Sequence, residues 1–343
     1  MPNRREFVRS LAGAALVHSS GRAASRREVT IAGRRVRTVD FHAHCFVPEA
    51  AEIFGRKAQP NDPAPIGPER IREMDGQGVD VEALSVNPYW YAAPRDVAAR
   101  AIKIQNEKLA ELCAAHTGRL VAFATVALQY PDLAAAQLEE AVTRLGLRGA
   151  SIGATINSEE LSSPKFDPFW AKAQDLGVPV FIHPQGVPEL QQRLRGNGFL
   201  SNVIGNPLET TVALSHLIFE GTLDRFPGLK LCAAHGGGYL PSYAGRSDHG
   251  CRVFPRNCPA SLKRHPSEYL RQLYFDSLVF TPEGLRHLVA ECGASQIVMG
   301  SDHPYPWSPS PVDHILDTPG LSDADREAIL GGTACKLLGI AAV

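Results

Sequence analysis

The sequence predicts an α/β protein, a single (β/α)₈ barrel of the TIM type with its active site at the carboxyl ends of the strands. Three observations predict it. From residue 36 onward, short apolar and β-branched runs alternate with amphipathic helical stretches, eight of each. Four residues with metal-ligand chemistry, His42, His44, His183 and Asp302, sit at the ends of such runs, and His235 has the same placement. The chain has 343 residues, 44% hydrophobic and 21% charged, which suits one barrel of roughly 250 residues plus insertions.

The first strand is expected over 36–41, and the helix over 68–78 (PERIREMDGQG) turns Ile71 and Met74 inward and stops on glycine. A second strand at 81–86 leads to a long helix at 96–116 with Asp96 as its N-cap. Strand 3 at 120–127 precedes a helix at 132–145, and strand 4 at 147–152 precedes one at 168–176. Strand 5 at 178–182 is followed by a helix at 207–224 whose first turn accommodates Pro207. Strand 6 at 229–234 pairs with a helix at 240–248, strand 7 at 273–279 with 282–291, and strand 8 at 297–300 with the closing helix at 323–338. Two long loops, 45–67 and 185–206, follow strands 1 and 5 and are placed to shape a substrate pocket; the second carries Arg193 and Arg195. An irregular stretch at 252–266 is a place for packing against a neighbouring subunit.

The first 25 residues read differently. Arg4 and Arg5 precede a mild apolar stretch from Leu11 to Val17, and Ala23-Ala24-Ser25 offers a small-residue cleavage site. This pattern is that of a twin-arginine export signal, leaving a barrel domain over 26–343. Export to the periplasm is the expectation; the alternative is a disordered basic extension on a cytoplasmic protein.

Lys+Arg 35 against Asp+Glu 36 leaves a net charge of −1, so no nucleic-acid partner is expected. No run approaches 18 apolar residues, which excludes a membrane-spanning helix. The seven cysteines form no CxxC pair, and free thiols are favoured over a Cys251–Cys258 bridge.

His42 and His44 stand at i and i+2, so an extended strand points both imidazoles to one side. His183 precedes Pro184, which fixes the strand's exit. Asp302 ends the apolar run IVMGS, where a carboxylate needs a partner, a cation or a proton. Each of these has a bland alternative (solvated loop histidines, a satisfied core histidine, a structural ion pair), but barrel closure would bring all four together around one divalent ion. A three-nitrogen, one-oxygen shell with an open position activates water or acts as a Lewis acid. His235 opens His-Gly-Gly-Gly, a backbone able to approach an anion closely or a turn needed only for chain geometry. With an ordinary histidine pKa of roughly 6.5, a residue there can move protons beside the metal, and Asp302 could orient the water.

These motifs, together with RIREMDGQGVDVEALS (70–85), NPLETT (206–211) and HGGGYLPSYAGRSDHG (235–250), resemble the metal-dependent decarboxylase branch of the amidohydrolase superfamily, and within it the α-amino-β-carboxymuconate-ε-semialdehyde decarboxylase family. The resemblance runs from about residue 39 to 339. It implies zinc, or another divalent ion such as manganese, on His42, His44, His183 and Asp302, with His235 as catalytic acid/base. It also implies that Arg246 binds a substrate carboxylate from a neighbouring subunit, hence a homodimer. A second carboxylate-binding arginine lies in a loop after strand 1 in that family; the corresponding loop here is shorter and offers Arg56. Gln185 stands where the family commonly has an aromatic residue. Glu209 is expected to orient a loop, and Asp276 to support the metal site or make a structural hydrogen bond.

The expected function is non-oxidative decarboxylation of an unsaturated or aromatic carboxylic acid. The alternative on the same ligands is hydrolysis of a lactone, ester or amide. A noncatalytic metal-binding barrel is a third reading, against which the proton carrier His235 argues.

Overall fold

The computed structural model of the chain describes residues 26–342 except 58, 60, 61 and 65. The segment read as an export leader lies outside the described residues.

Eight short strands carry the fold: Val39–His44 (β1), Val81–Ser85 (β2), Leu120–Ala122 (β3), Ala150–Gly153 (β4), Pro179–His183 (β5), Lys230–Ala233 (β6), Tyr274–Asp276 (β7) and Ile297–Val298 (β8). Every neighbouring pair is parallel. The ladder falls into two arcs, β1-β2-β3 and β4-β5-β6-β7-β8. Single parallel bridges join them at both seams, Ala124 with Ala150 and Ala43 with His303. Backbone bonds run across each seam: Ala124 N–H donates to Gly149 C=O (2.7 Å) and Ser151 to Ala124 (3.0 Å), while Phe41 donates to Met299 (2.8 Å) and Asp302 to His42 (2.8 Å).

Between the strands run Pro68–Gln77 (α1), Arg95–Ala115 (α2), Pro131–Thr143 (α3), Asp167–Leu176 (α4), Asn206–Phe219 (α5), Leu240–Val253 (α6) and Pro282–Cys292 (α7). Several starts differ from the sequence expectation. Pro94, not Asp96, occupies the N-cap of α2, and no side chain caps it, since proline carries no acceptor to offer. The helix expected at 207–224 breaks where Gly221 turns left-handed (φ 75°), and Thr222–Arg225 follows as a separate turn. The closing helix is Asp323–Glu327, a π turn at Ala328–Gly332, then Thr333–Leu338, and Ser322 with Asp325 forms its capping box. Position 331 must be glycine there: a Cβ on Gly331 would lie 2.0 Å from the Arg37 carbonyl oxygen.

The core has two layers. Phe41, Phe123 and Phe181 come from β1, the end of β3 and β5, which are not neighbours, so their contacts (5.0, 6.0 and 5.9 Å between ring centroids) cross the barrel interior. Ala334, Cys335, Leu337 and Leu338 of the closing helix cover this inner cluster. Ala43, Leu84, Ile152 and Ile182 instead pack in the larger cluster with the surrounding helices.

One irregularity positions the site. Val39 and Phe41 face the interior, so strict alternation would send His42 outward. The β1–β2 register shifts between Asp40 and Ala43, giving β1 one extra residue. This bulge flips the parity, and Ala43 joins the outer cluster while His42 and His44 turn inward. Strand 1 accordingly runs to His44 rather than ending at residue 41.

Cys251 and Cys258 form a disulfide with a Cα–Cα distance of 4.9 Å. This corrects the expectation of free thiols: α6 ends at Val253, and the turn at Pro255–Asn257 brings the two sulfurs together. Cys45, Cys113, Cys232, Cys292 and Cys335 are free.

Candidate metal centre and substrate cavity

The strand ends bring His42, His44, His183 and Asp302 together, one ligand atom of each within 4.8 Å of the others, and all four are buried. His42 and His44 lie on β1, His183 ends β5, and Asp302 follows β8 with a left-handed backbone (φ 64°). Asp302 Oδ1 lies 2.8 Å from His44 Nε2 and 3.2 Å from His42 Nε2.

The tautomers follow from the outer nitrogens. His42 Nδ1–H donates to Asp276 Oδ2 (2.6 Å) and His183 Nδ1–H to the Pro184 carbonyl (2.8 Å). Ser85 Oγ–H donates to the Ala43 carbonyl (3.1 Å), which leaves its oxygen to accept from His44 Nδ1–H (2.9 Å). Each Nε2 is thereby left with a lone pair turned toward the same point. His42 Nε2 and His44 Nε2 stand only 3.0 Å apart, and His183 Nε2 and Asp302 Oδ1 are buried without hydrogen-bond partners. Lone pairs cannot face each other at this distance in a dry interior unless a proton or a cation lies between them. Burial pushes the His44 ring down to about 4 and His183 well below the usual histidine range. Burial opposes charge on His42 too, but Asp302 and Asp276 outweigh it and push that ring up to about 10. Burial alone would raise Asp302; His42, His235 and His44 hold it far below the ordinary carboxylate range. Two neutral imidazoles, a third (His42) whose extra proton a cation would displace, and one ionised oxygen fit a divalent cation.

Asp276 at the end of β7 does more than a structural hydrogen bond requires. It holds His42 and also accepts from His235 N–H (2.9 Å), Gly236 N–H (2.8 Å) and Leu278 N–H (3.0 Å). The anion received by the glycine-rich turn is therefore this internal carboxylate. The turn's glycines are obligatory: a Cβ on Gly236, Gly237 or Gly238 would lie 2.5, 2.5 or 2.1 Å from Val279, Phe275 or the Pro207 carbonyl. The same turn presents His235 (φ 57°), whose Nε2 lies 3.8 Å from Asp302 Oδ2.

A cavity of about 910 Å³ opens over His183, His235 and Asp302. Its walls include Asn87, Gln185, Asn202, Tyr305, Trp307 and Phe199. Trp307 stacks with Phe199 (6.3 Å, 4° between planes) and tilts against Phe280 (6.0 Å) at the mouth. Of these, Gln185 and the loop carrying Phe199 and Asn202 were marked in the sequence, whereas Asn87, Tyr305 and Trp307 were not; the signal for the last two was PYPW, residues 304–307, directly after the ligand aspartate. Glu209 accepts from the Gln185 and Gly186 N–H groups (2.6 Å each) and from Thr155 (3.1 Å), so it holds the loop after β5.

The two arginines stand elsewhere. Arg246 is exposed on α6, outside this chain's cavity lining. Arg56 packs against the Phe46 and Tyr89 rings, 4.8 Å from each centroid, and donates from Nη2 to Asp62 (2.6 Å), while its Nη1 is buried without a partner. Arg193 and Arg195 do not line the cavity.

An amidohydrolase family model matches residues 39–340. The chain is 32% identical over 279 residues to 2-amino-3-carboxymuconate-6-semialdehyde decarboxylase of Dictyostelium discoideum, covering 79% of this chain and 76% of the relative. It is 30% identical over 281 residues to gamma-resorcylate decarboxylase of Rhodococcus jostii, covering 75% and 82%. A solved dihydroxybenzoic acid decarboxylase from Polaromonas sp., with bound manganese and 2-nitroresorcinol, superposes with a TM-score of 0.78 at 26% identity, covering 88% of this chain and 97% of that one. With the family pattern spanning nearly all of the described barrel, the chain belongs to the amidohydrolase family, in the company of its metal-dependent decarboxylases.

Proposed function

We propose that the protein is a metal-dependent, non-oxidative decarboxylase of an unsaturated or aromatic carboxylic acid. The observation that carries this reading is the convergence of four buried ligand atoms and His235 on a cavity walled by Tyr305, Trp307 and Phe199. The relatives' printed activities support it. Zinc on His42, His44, His183 and Asp302 is our assignment from the nitrogen-rich donor set, with manganese as the other divalent ion. A bound divalent cation supplies Lewis acidity that polarises a substrate oxygen.

The chain's own groups do the rest. Asp276 holds His42 in the ligand tautomer, and the glycine turn sets His235 beside Asp302. His235 delivers a proton to the carbon bearing the carboxylate. The C–C bond then breaks, its electron pair returns to the π system, and CO₂ leaves; solvent reprotonates His235. Trp307, Phe199 and Tyr305 flank the ring or conjugated chain and keep water from it. Burial, aided by the Asp302 and Asp62 carboxylates, raises Tyr305, so it stays a phenol and a hydrogen-bond donor. We assign Arg246 to carboxylate binding across a homodimer; its exposure on α6 leaves it available to a second copy. Export through the leader is part of the same proposal, and the Cys251–Cys258 disulfide supports it, since such bonds persist in oxidising compartments.

The test is to incubate metal-loaded protein with hydroxybenzoates and unsaturated acids and to trap CO₂. Stoichiometric CO₂ and the protonated product are expected. Hydrolysis of lactones or esters without CO₂ from any acid would overturn the reading in favour of a hydrolase.

A further inference from the structure

Among the described residues, no lysine or arginine lines the cavity above the metal-ligand group. The charged side chains that do are Asp302, already committed to the ligand group, and Asp62. Asp62 comes from the loop after β1. One of its oxygens accepts from Arg56 Nη2 (2.6 Å) and the other from Gln59 N–H (2.6 Å). Arg56 itself packs against the Phe46 and Tyr89 rings and is not part of the cavity wall. The guanidinium of this loop is thus held by an internal anion, and a carboxylate faces the cavity in its place. Each Asp62 oxygen keeps acceptor capacity for a hydroxyl or amino donor.

We propose that Asp62 is a specificity-determining residue that makes the cavity select monocarboxylic acids carrying a hydroxyl or amino donor and reject acids with a second carboxylate. The inference rests on the decarboxylase reading above and narrows its substrate class. A second carboxylate brought against Asp62 meets a like charge whose one cation, Arg56, is already engaged by Asp62 itself, a penalty of roughly tenfold in affinity.

The experiment is direct binding by calorimetry to metal-loaded full-length protein, using a matched pair: 2-hydroxybenzoate and 2-hydroxyisophthalate, which differ by one carboxylate. The monoacid is expected to bind at least about tenfold tighter. Asp62→Asn should narrow or invert that ratio by releasing Arg56, and adding Arg56→Gln to it should abolish the gain for the diacid. Equal or tighter binding of the diacid by the unaltered protein would overturn the proposal, and this arm needs no variant to fold. An unchanged ratio in a folded Asp62→Asn protein would overturn it as well. CO₂ release is scored separately: discrimination without CO₂ from any acid counts against the decarboxylase reading alone, whereas CO₂ released equally well from diacids counts against Asp62 alone.

Discussion

At the scale of single residues, the centre separates holding a cation from moving a proton. His235 is not among the four ligands, and its Nδ1 is buried without a partner. His235→Ala should therefore keep stoichiometric metal by elemental analysis and lose turnover by roughly 10²–10⁴-fold; a variant that lost metal and activity together would place His235 among the ligands. Asp276 acts through other groups. Asp276→Asn can present an amide N–H to His42 Nδ1 and so favour the wrong tautomer, as well as breaking the acceptor for three backbone N–H groups. Metal affinity, measured by competition with a chelator, should fall about 10–100-fold, and the loss should exceed any change in the fold's circular dichroism.

At the scale of elements, β2 shows what ties the start of the described chain to the barrel. Asp80, just before it, accepts from Arg35 (2.6 Å), from Thr38 N–H (2.9 Å) and from Arg26. Burial alone would raise its carboxyl, but Arg35, the Thr38 N–H and Arg26 hold it below the usual range. A depressed folded pKa means the stabilisation is present above the unfolded value of roughly 3.9 and is lost as pH falls through the folded one. Asp80→Asn should cost roughly 2 kcal/mol in denaturant melts at pH 7 and flatten the acid limb of stability; an unchanged limb would remove Asp80 from that role. The sequence made the strand–helix alternation and the four ligands readable, because His42, His44, His183 and Asp302 each close an apolar run. It did not reveal the bulge in β1, since one extra residue between Asp40 and Ala43 leaves no compositional mark and only the Phe41 packing exposes it. The hairpin Thr155–Ile156 to Glu159–Glu160 was legible in principle, because Asn157 and Ser158 take the positive φ of a tight turn. The pairing of Phe199 with Trp307 joins two loops more than a hundred positions apart, and no local pattern encodes it.

At the scale of the whole molecule, the ligands come from both arcs: His42 and His44 from the three-stranded one, His183 and Asp302 from the end of strands in the five-stranded one. Folding therefore precedes a complete ligand set, and metal stabilises the native state by mass action. Free ion at 100 times its dissociation constant should add about 2.7 kcal/mol, read as a higher Tm that chelator reverses and that His183→Ala does not show. The same geometry says where the chelated protein gives way first. Each seam carries one bridge and three backbone hydrogen bonds, so amide protons at Ser151, Ala124, Phe41 and Asp302 are expected to exchange before those inside either arc. An ion seated between the arcs rivets only the Ala43–His303 side. The opposite parting line, at Ala124 and Ala150, gains no such rivet, so its amide exchange is expected to respond least to added metal.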